Sequence, residues 1–232
     1  MRKRKLTNSA IVLLSGGLDS LVSLDVVKDE LNVTMALTFD YGQKAVNKEI
    51  LASDKICKYY GIQHRVITLD WLAMITRTSL VSNEEVPVLE QEDLDETILT
   101  NESSKAVWVP NRNGLFVNIA ASFADSFGFS HIIIGANKEE GATFKDNTQD
   151  FIDAINLSLK NSVNQEVEVV APLIKYDKKQ IVELALKNKA PLQLVRSCYH
   201  DNDVHCGECE SCNRLKRALI LNGQQDLIKL LF

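Results

Sequence analysis

Residues 10–24 read AIVLLSGGLDSLVSL, and this run decides how the rest of the chain is read. The apolar residues 10–14 end at Ser-Gly-Gly, and an apolar pattern of helical spacing restarts at once from Leu18. A strand that opens through glycines into a helix N-terminus leaves several backbone N–H groups aimed the same way, at the helix's partial positive charge. Such a junction is a cradle for an anion.

Outward from it, β-rich runs at 10–14, 33–39, 64–69, 131–136 and 166–173 alternate with helical patterns at 18–29, 45–60, 114–127, 148–160 and 178–189. Continuous apolar strands separated by helices predict an α/β fold. Its sheet is doubly wound and mostly parallel, covered on both faces because parallel strands need crossover helices. In such a sheet the ligand lies beyond the carboxyl ends of the strands, where the cradle is. Residues 71–105, rich in Glu, Asp, Ser and Asn, read as an irregular, partly helical excursion or lid.

At 232 residues, 45% hydrophobic and 25% charged, the chain is long enough for a full core. A net charge of −5 offers no basic face for long nucleic acids, and the basic start MRKRK is too short to change that. Neither a membrane span nor a signal peptide is read from the apolar pattern, so a cytoplasmic protein with no direct nucleic-acid partner is expected.

Two familiar phosphate motifs are absent: there is no Gly-Lys-Ser/Thr and no G-x-G-x-x-G. Ser15-Gly16-Gly17-Leu18-Asp19-Ser20 stands in their place and resembles the pyrophosphate loop of the ATP pyrophosphatase (PP-loop) superfamily. The residue types suit phosphates. Ser15 and Ser20 supply hydroxyls, Gly16 and Gly17 allow close backbone approach, and Asp19 can hold magnesium.

A second cluster, SCYHDNDVHCGECESC, places Cys198, Cys206, Cys209 and Cys212 near the C-terminus. Four of five cysteines gathered this way point to a thiolate site rather than to disulfides. Four thiolates close a tetrahedral zinc shell, which predicts a structural role; an iron–sulfur cluster takes the same ligands. His200 and His205 could substitute as ligands, and Cys57, alone in a helical pattern, reads as a small buried hydrophobe. A third element, WVPNRNGLF at 108–116, sets Arg112 at a loop-to-helix junction, placed to meet a phosphate or carboxylate in bidentate fashion.

Together these pieces resemble the 7-cyano-7-deazaguanine synthase (QueC) family: the S-G-G-x-D-S loop, FDYGQK at 39–44, VPNRNGLF, GAN at 135–137, and SCY followed by CGECESCNRL. The resemblance implies an adenine nucleotide alpha hydrolase-like fold. It also implies an enzyme that converts 7-carboxy-7-deazaguanine, ammonia and ATP into a nitrile, through an adenylated acid and then an amide activated again. It places ATP along Leu14, Ser15, Gly16, Gly17, Leu18, Asp19, Ser20, Leu21, Val22, Ser23 and Leu24, with Phe39 and Asp40 bordering the adenine. Catalytic roles fall on Ser15, Asp19, Ser20, Arg112 and Lys178, the last matching a lysine that steadies the leaving pyrophosphate. Residues 1–190 become a nucleotide-binding domain carrying the insertion, and 191–232 a helical segment bound by zinc, one ion per chain. The ending LIKLLF and the family favour a homodimer.

The chain departs from the family pattern at two points. Ala45 stands where relatives carry His, and GATFKDNTQDF replaces Gly-Tyr-Pro-Asp-Cys-Arg, so Phe144 and Asp146 match the Tyr and Asp while Asn147 and Thr148 stand for the Cys and Arg. Two other functions are compatible with the residues. One is a sibling PP-loop ligase that joins an acid to an amine on a protein or tRNA; the other is a non-enzymatic module whose cysteine knuckle grips RNA.

Overall fold

The computed structural model describes residues 8–89, 91, 94 and 97–232; the basic start at 1–5 and part of the 71–105 excursion lie outside these. Five strands, β1 (Ser9–Leu13), β2 (Asn32–Asp40), β3 (Gln63–Thr68), β4 (His131–Ile133) and β5 (Glu168–Val170), form one sheet in the order β3-β2-β1-β4-β5. Every pairing is parallel. β4 and β5 are shorter than their apolar runs predict.

β1 lies at the centre, and its side chains divide between two cores. Ala10, Val12 and Leu14 face one side, and Ile11 and Leu13 the other. This explains why the strand is apolar without alternation. The first core is covered by α1 (Leu18–Val27), α2 (Val46–Tyr60), α8 (Lys178–Asn188), α9 (Glu210–Leu221) and α10 (Gln225–Leu231). The second is covered by α3 (Asp70–Ile75), α5 (Arg112–Phe127) and α7 (Gln149–Leu159). Cys57 is buried in the first core, as its helical setting predicts.

The chain order places a switch point between β1 and β4, where the connections leave in opposite directions. The run from β1 through Ser15–Gly17 into α1 opens there. Gly16 has φ +78°, and a Cβ on it would lie 2.8 Å from Cβ of Ala52, so the turn needs glycine on both counts. Gly135, after β4, approaches α1 so closely that a Cβ would sit 2.9 Å from the Ser20 nitrogen.

Two further helices occupy the excursion and its surroundings: α4 (Thr97–Val107) precedes the VPNRNGLF turn, and the single turn α6 (Lys138–Gly141) follows GAN. Described parts of the excursion dock on the cysteine segment. Val88 pairs with Cys209, and Asn213 Nδ2 donates to the Leu89 carbonyl at 2.7 Å. Most of the apolar ending is satisfied within the chain: Leu231 is buried in the first core, and Leu227, Ile228 and Phe232 pack against it.

Candidate active site

The loop after β1 is held by its own serines. Ser20 Oγ donates to the Gly17 carbonyl at 3.1 Å and accepts from the Ser15 nitrogen at 3.3 Å, while Gly17 N–H donates to Ser15 Oγ at 3.3 Å. Gly17 is the N-cap of α1 and offers no side chain, so the first-turn N–H groups of the helix carry no side-chain cap. They border a cavity of about 260 Å³.

Leu14, Ser15, Gly17, Leu18, Asp19, Ser20 and Phe39 line that cavity together with Arg112 and Lys178. Other residues assigned to the nucleotide do not reach it. Leu21, Val22 and Leu24 fill the first core, Ser23 is fully buried in α1, and Gly16 lies beneath the loop against α2. Asp40 is also absent from the lining, its carboxylate accepting from the Gly42 nitrogen at 3.0 Å. Phe39 is buried in the cavity wall with one face stacked on Phe116, the rings 3.9 Å apart and nearly parallel.

Lys178 enters from the first turn of α8. Asp177 caps that helix through a reciprocal pair with Gln180, which fixes where Lys178 emerges. Its Nζ lies 2.5 Å from Asp19 Oδ2 and 2.8 Å from Glu140 Oε1. Burial pushes the Asp19 carboxyl up to about 6, with Lys178 pulling it down and Glu140 and Glu139 adding repulsion. Burial also opposes ionisation of Glu140, but Lys178, Arg112 and Arg214 outweigh it and hold that carboxyl below its ordinary range. Asp19 Oδ1 is buried and has no hydrogen-bond partner among the described residues.

Several lining residues carry no phosphate-motif signal. Glu139 and Glu210 both pair with Arg214, at 3.2 and 2.8 Å. Glu210 and Arg214 are an i,i+4 pair on α9, a spacing readable from CESCNR once that stretch is taken as helix. Glu49 is set into the wall from α2 by Gln43, whose Nε2 donates both to Glu49 Oε2 at 2.7 Å and to the Phe39 carbonyl at 2.9 Å. Burial raises the Glu49 carboxyl, against the Gln43 hydrogen bond and the charges of Arg112 and Arg196.

Arg112 starts α5 after Asn111, a left-handed residue with φ 50°, and its Nη1 donates to Tyr41 Oη at 3.4 Å. Opposite it, Phe144 and Asp146 line the cavity, with Trp108 parallel to Phe144 at 6.1 Å. Asn113 Nδ2 holds the Asp146 carbonyl at 3.1 Å, so the departing GATFKDN segment is anchored to the PNRN turn. At the other departure, Ala45 cannot cap α2, and Asp201 does so from outside: its Oδ1 accepts from the Lys48 nitrogen at 3.2 Å.

The four cysteines expected to hold metal converge, their sulfurs all within 4.8 Å of one another. Tetrahedral zinc with ~2.3 Å bonds sets sulfurs about 3.8 Å apart, and Cys206 Sγ and Cys212 Sγ are separated by 3.8 Å. N–H groups of His200 and Cys206 lie 3.4 Å from Cys198 Sγ, and those of Glu208 and Cys209 lie 3.5 and 3.4 Å from Cys206 Sγ. Donors of this kind favour thiolate. The donor set fits zinc. His205 serves elsewhere: its Nε2 accepts from the Ser197 nitrogen at 3.0 Å, and its Nδ1 faces the Leu231 carbonyl at 3.0 Å, clipping the C-terminus down.

The family model for the queuosine biosynthesis protein QueC matches residues 9–223. Curated proteins named 7-cyano-7-deazaguanine synthase are similar across almost the whole chain. One from Methanosarcina mazei is 49% identical over 94% of this chain and 96% of its own. Another, from Carboxydothermus hydrogenoformans, is 50% identical over 90% and 97%. The fold is similar to that in the crystal structure of a 4-thiouridine synthetase–RNA complex with bound ATP, at TM-score 0.51 and 20% identity, covering 96% of this chain and 52% of that one. Matched over most of its length by the family model and nearly half identical to those relatives, the chain belongs to the QueC family.

Proposed function

We propose that the chain uses ATP to convert 7-carboxy-7-deazaguanine and ammonia into 7-cyano-7-deazaguanine, a precursor of queuosine, through two activations at one site. The observation that carries this is a single cavity, in a QueC-family chain, where an uncapped helix N-terminus, a buried lysine and a cluster of carboxylates and arginines meet. In the first activation a carboxylate oxygen attacks the α-phosphate, pyrophosphate leaves, and ammonia then displaces AMP to give the amide. In the second the amide oxygen attacks a new α-phosphate. Loss of AMP and of the remaining N–H protons leaves the nitrile.

Each role suits a residue already placed. The first-turn N–H groups of α1 and the Ser15 hydroxyl hold phosphate oxygens, while Ser20, its hydroxyl given to the Gly17 carbonyl, braces the loop. Lys178 takes up the charge that builds on the leaving pyrophosphate. Arg112, without a carboxylate in ion-pair distance among the described residues, meets a phosphate or the acid. Magnesium would neutralise phosphate charge when bound, and the free buried oxygen Asp19 Oδ1 is the kind of donor it takes. Zinc on Cys198, Cys206, Cys209 and Cys212 has a closed shell, which suits a structural part only. A cytoplasmic, homodimeric enzyme acting on small molecules completes the proposal.

The test is direct. The purified chain, given 7-carboxy-7-deazaguanine, ammonium and Mg-ATP, is expected to form the nitrile, detected by mass spectrometry, with AMP and pyrophosphate as co-products. ATP consumed only with another acid, or an amine adduct in place of the nitrile, would assign the chain to a sibling ligase.

A further inference from the structure

Among the described residues, four cations line the cavity: Arg112, Lys178, Arg196 and Arg214. Lys178 is engaged by Asp19 and Glu140, and Arg214 by Glu139 and Glu210. Arg112 and Arg196 have no carboxylate within ion-pair distance among the described residues; their hydrogen bonds go to the Tyr41 hydroxyl and the His200 carbonyl. A charge left this way inside a fold is costly unless something arrives to meet it.

Arg196 is the more exacting case. It is only 7% exposed, and its Nε is buried with no hydrogen-bond partner among the described residues, while Nη2 donates to the His200 carbonyl at 2.6 Å. Its main chain is tied to the anion cradle: the Arg196 nitrogen donates to the Gly16 carbonyl at 2.8 Å, and its own carbonyl lies 3.8 Å from where a Cβ on Gly17 would be. Arg112 stands on α5, beside Tyr41 and near Asp146. The two unpaired guanidiniums therefore belong to different parts of the wall, and the reaction brings two anions.

We propose that Arg196 is a phosphate-binding residue, presenting its unpaired guanidinium edge to the polyphosphate of the nucleotide held by the Ser15–Ser20 loop, and that Arg112 is left for the carboxylate of the acid. This rests on the ATP-dependent chemistry proposed above. It also gives the segment before Cys198 a use beyond holding metal, since the residue two positions upstream of the first cysteine reaches into the site.

Calorimetric titration of the full-length chain with Mg-ATP, and separately with magnesium and sodium pyrophosphate, tests the assignment on wild type, Arg196→Met and Arg196→Lys. The loss of one charge-assisted contact predicts about 10- to 100-fold weaker binding of both probes by the Met variant, with part of it recovered by Lys. In steady state KM for ATP rises and KM for the acid does not. Should Arg196→Met fail to fold, Arg196→Gln, uncharged but still able to donate to the His200 carbonyl, is expected to show the same loss. Unchanged affinity for both probes overturns the assignment, as does lowered thermal stability with affinity intact, which would mark a structural arginine. A rise in KM for the acid alone would make Arg196 the carboxylate ligand instead. A wild type that binds neither probe would remove the ATP-dependent reading as well, whereas a wild type that binds both with an unchanged Met variant removes this assignment only.

Discussion

Asp19→Ala is expected to lower nitrile formation by about 10²- to 10³-fold while far-ultraviolet circular dichroism stays that of the wild type. Removing a carboxylate that pairs with Lys178, and has a buried oxygen with no partner among the described residues, should take away charge stabilisation of the size that single groups of this kind supply. The side chain lies at the cavity wall and not in either apolar core, so its loss leaves no core void. The pH dependence has a definite sign. A carboxyl raised to about 6 is protonated below that value and cannot serve a cation, so wild-type affinity for magnesium should fall as pH drops through about 6. Asp19→Asn should show weak affinity with no such step. Full ATP consumption by Asp19→Ala would remove the residue from the site.

Cys209→Ser is expected to have the largest effect on stability. The sulfur is fully buried among Cys198, Cys212 and Val86, and its backbone pairs with Val88, so the lost ligand disturbs the place where the excursion meets the C-terminal segment. Structural zinc contributes about 10–16 kcal/mol in small folded sites, comparable with the whole margin of a domain. The damage should spread, because α9 and α10 beyond the cluster place Leu215, Ala218, Leu219 and Leu231 in the first core, and α9 carries Glu210 and Arg214 to the cavity. Elemental analysis should find one zinc per wild-type chain and almost none in the variant. The variant should lose more than ~10 °C in Tm, and trypsin should cut it around residues 198–216. A variant that keeps its zinc, or loses it and still resists trypsin, would mean that the cluster does not hold the segment.

The sheet was legible because its central strands are apolar on both faces, a pattern few other arrangements produce. The run 10–14 feeds two cores at once, and each of the five helical patterns became a helix within about two residues of its expected bounds. Strand ends were less legible, since the runs at 134–136 and 171–173 continue after the ladder stops: Ile134 and Gly135 line the cavity, whereas Leu173 is buried in the first core. The loop of serines and glycines announced itself through residue type. Glu49, Glu139, Glu140, Arg196 and Arg214 did not, because charged residues on helices and connecting turns look like solvated surface until the fold turns them inward. Cavity position also depends on helix phase: Leu18 and Ser20 border the site, whereas Leu21 and Val22 point into the core. Likewise, His205 reads as a spare metal ligand beside four cysteines, and only the three-dimensional arrangement shows that its ring is occupied by Ser197 and Leu231.

In the proposed reaction one cavity activates a carboxyl oxygen and then an amide oxygen by adenylation. Substrate labelled with ¹⁸O at both carboxyl positions, turned over with ammonium and Mg-ATP and analysed by mass spectrometry of the AMP formed, tests it most directly. Each adenylation transfers the attacked oxygen to AMP. Two molecules of AMP are therefore expected per nitrile, each carrying one ¹⁸O. Unlabelled AMP, or one labelled AMP per turnover with the second label left in an amide product, would rule out the double adenylation.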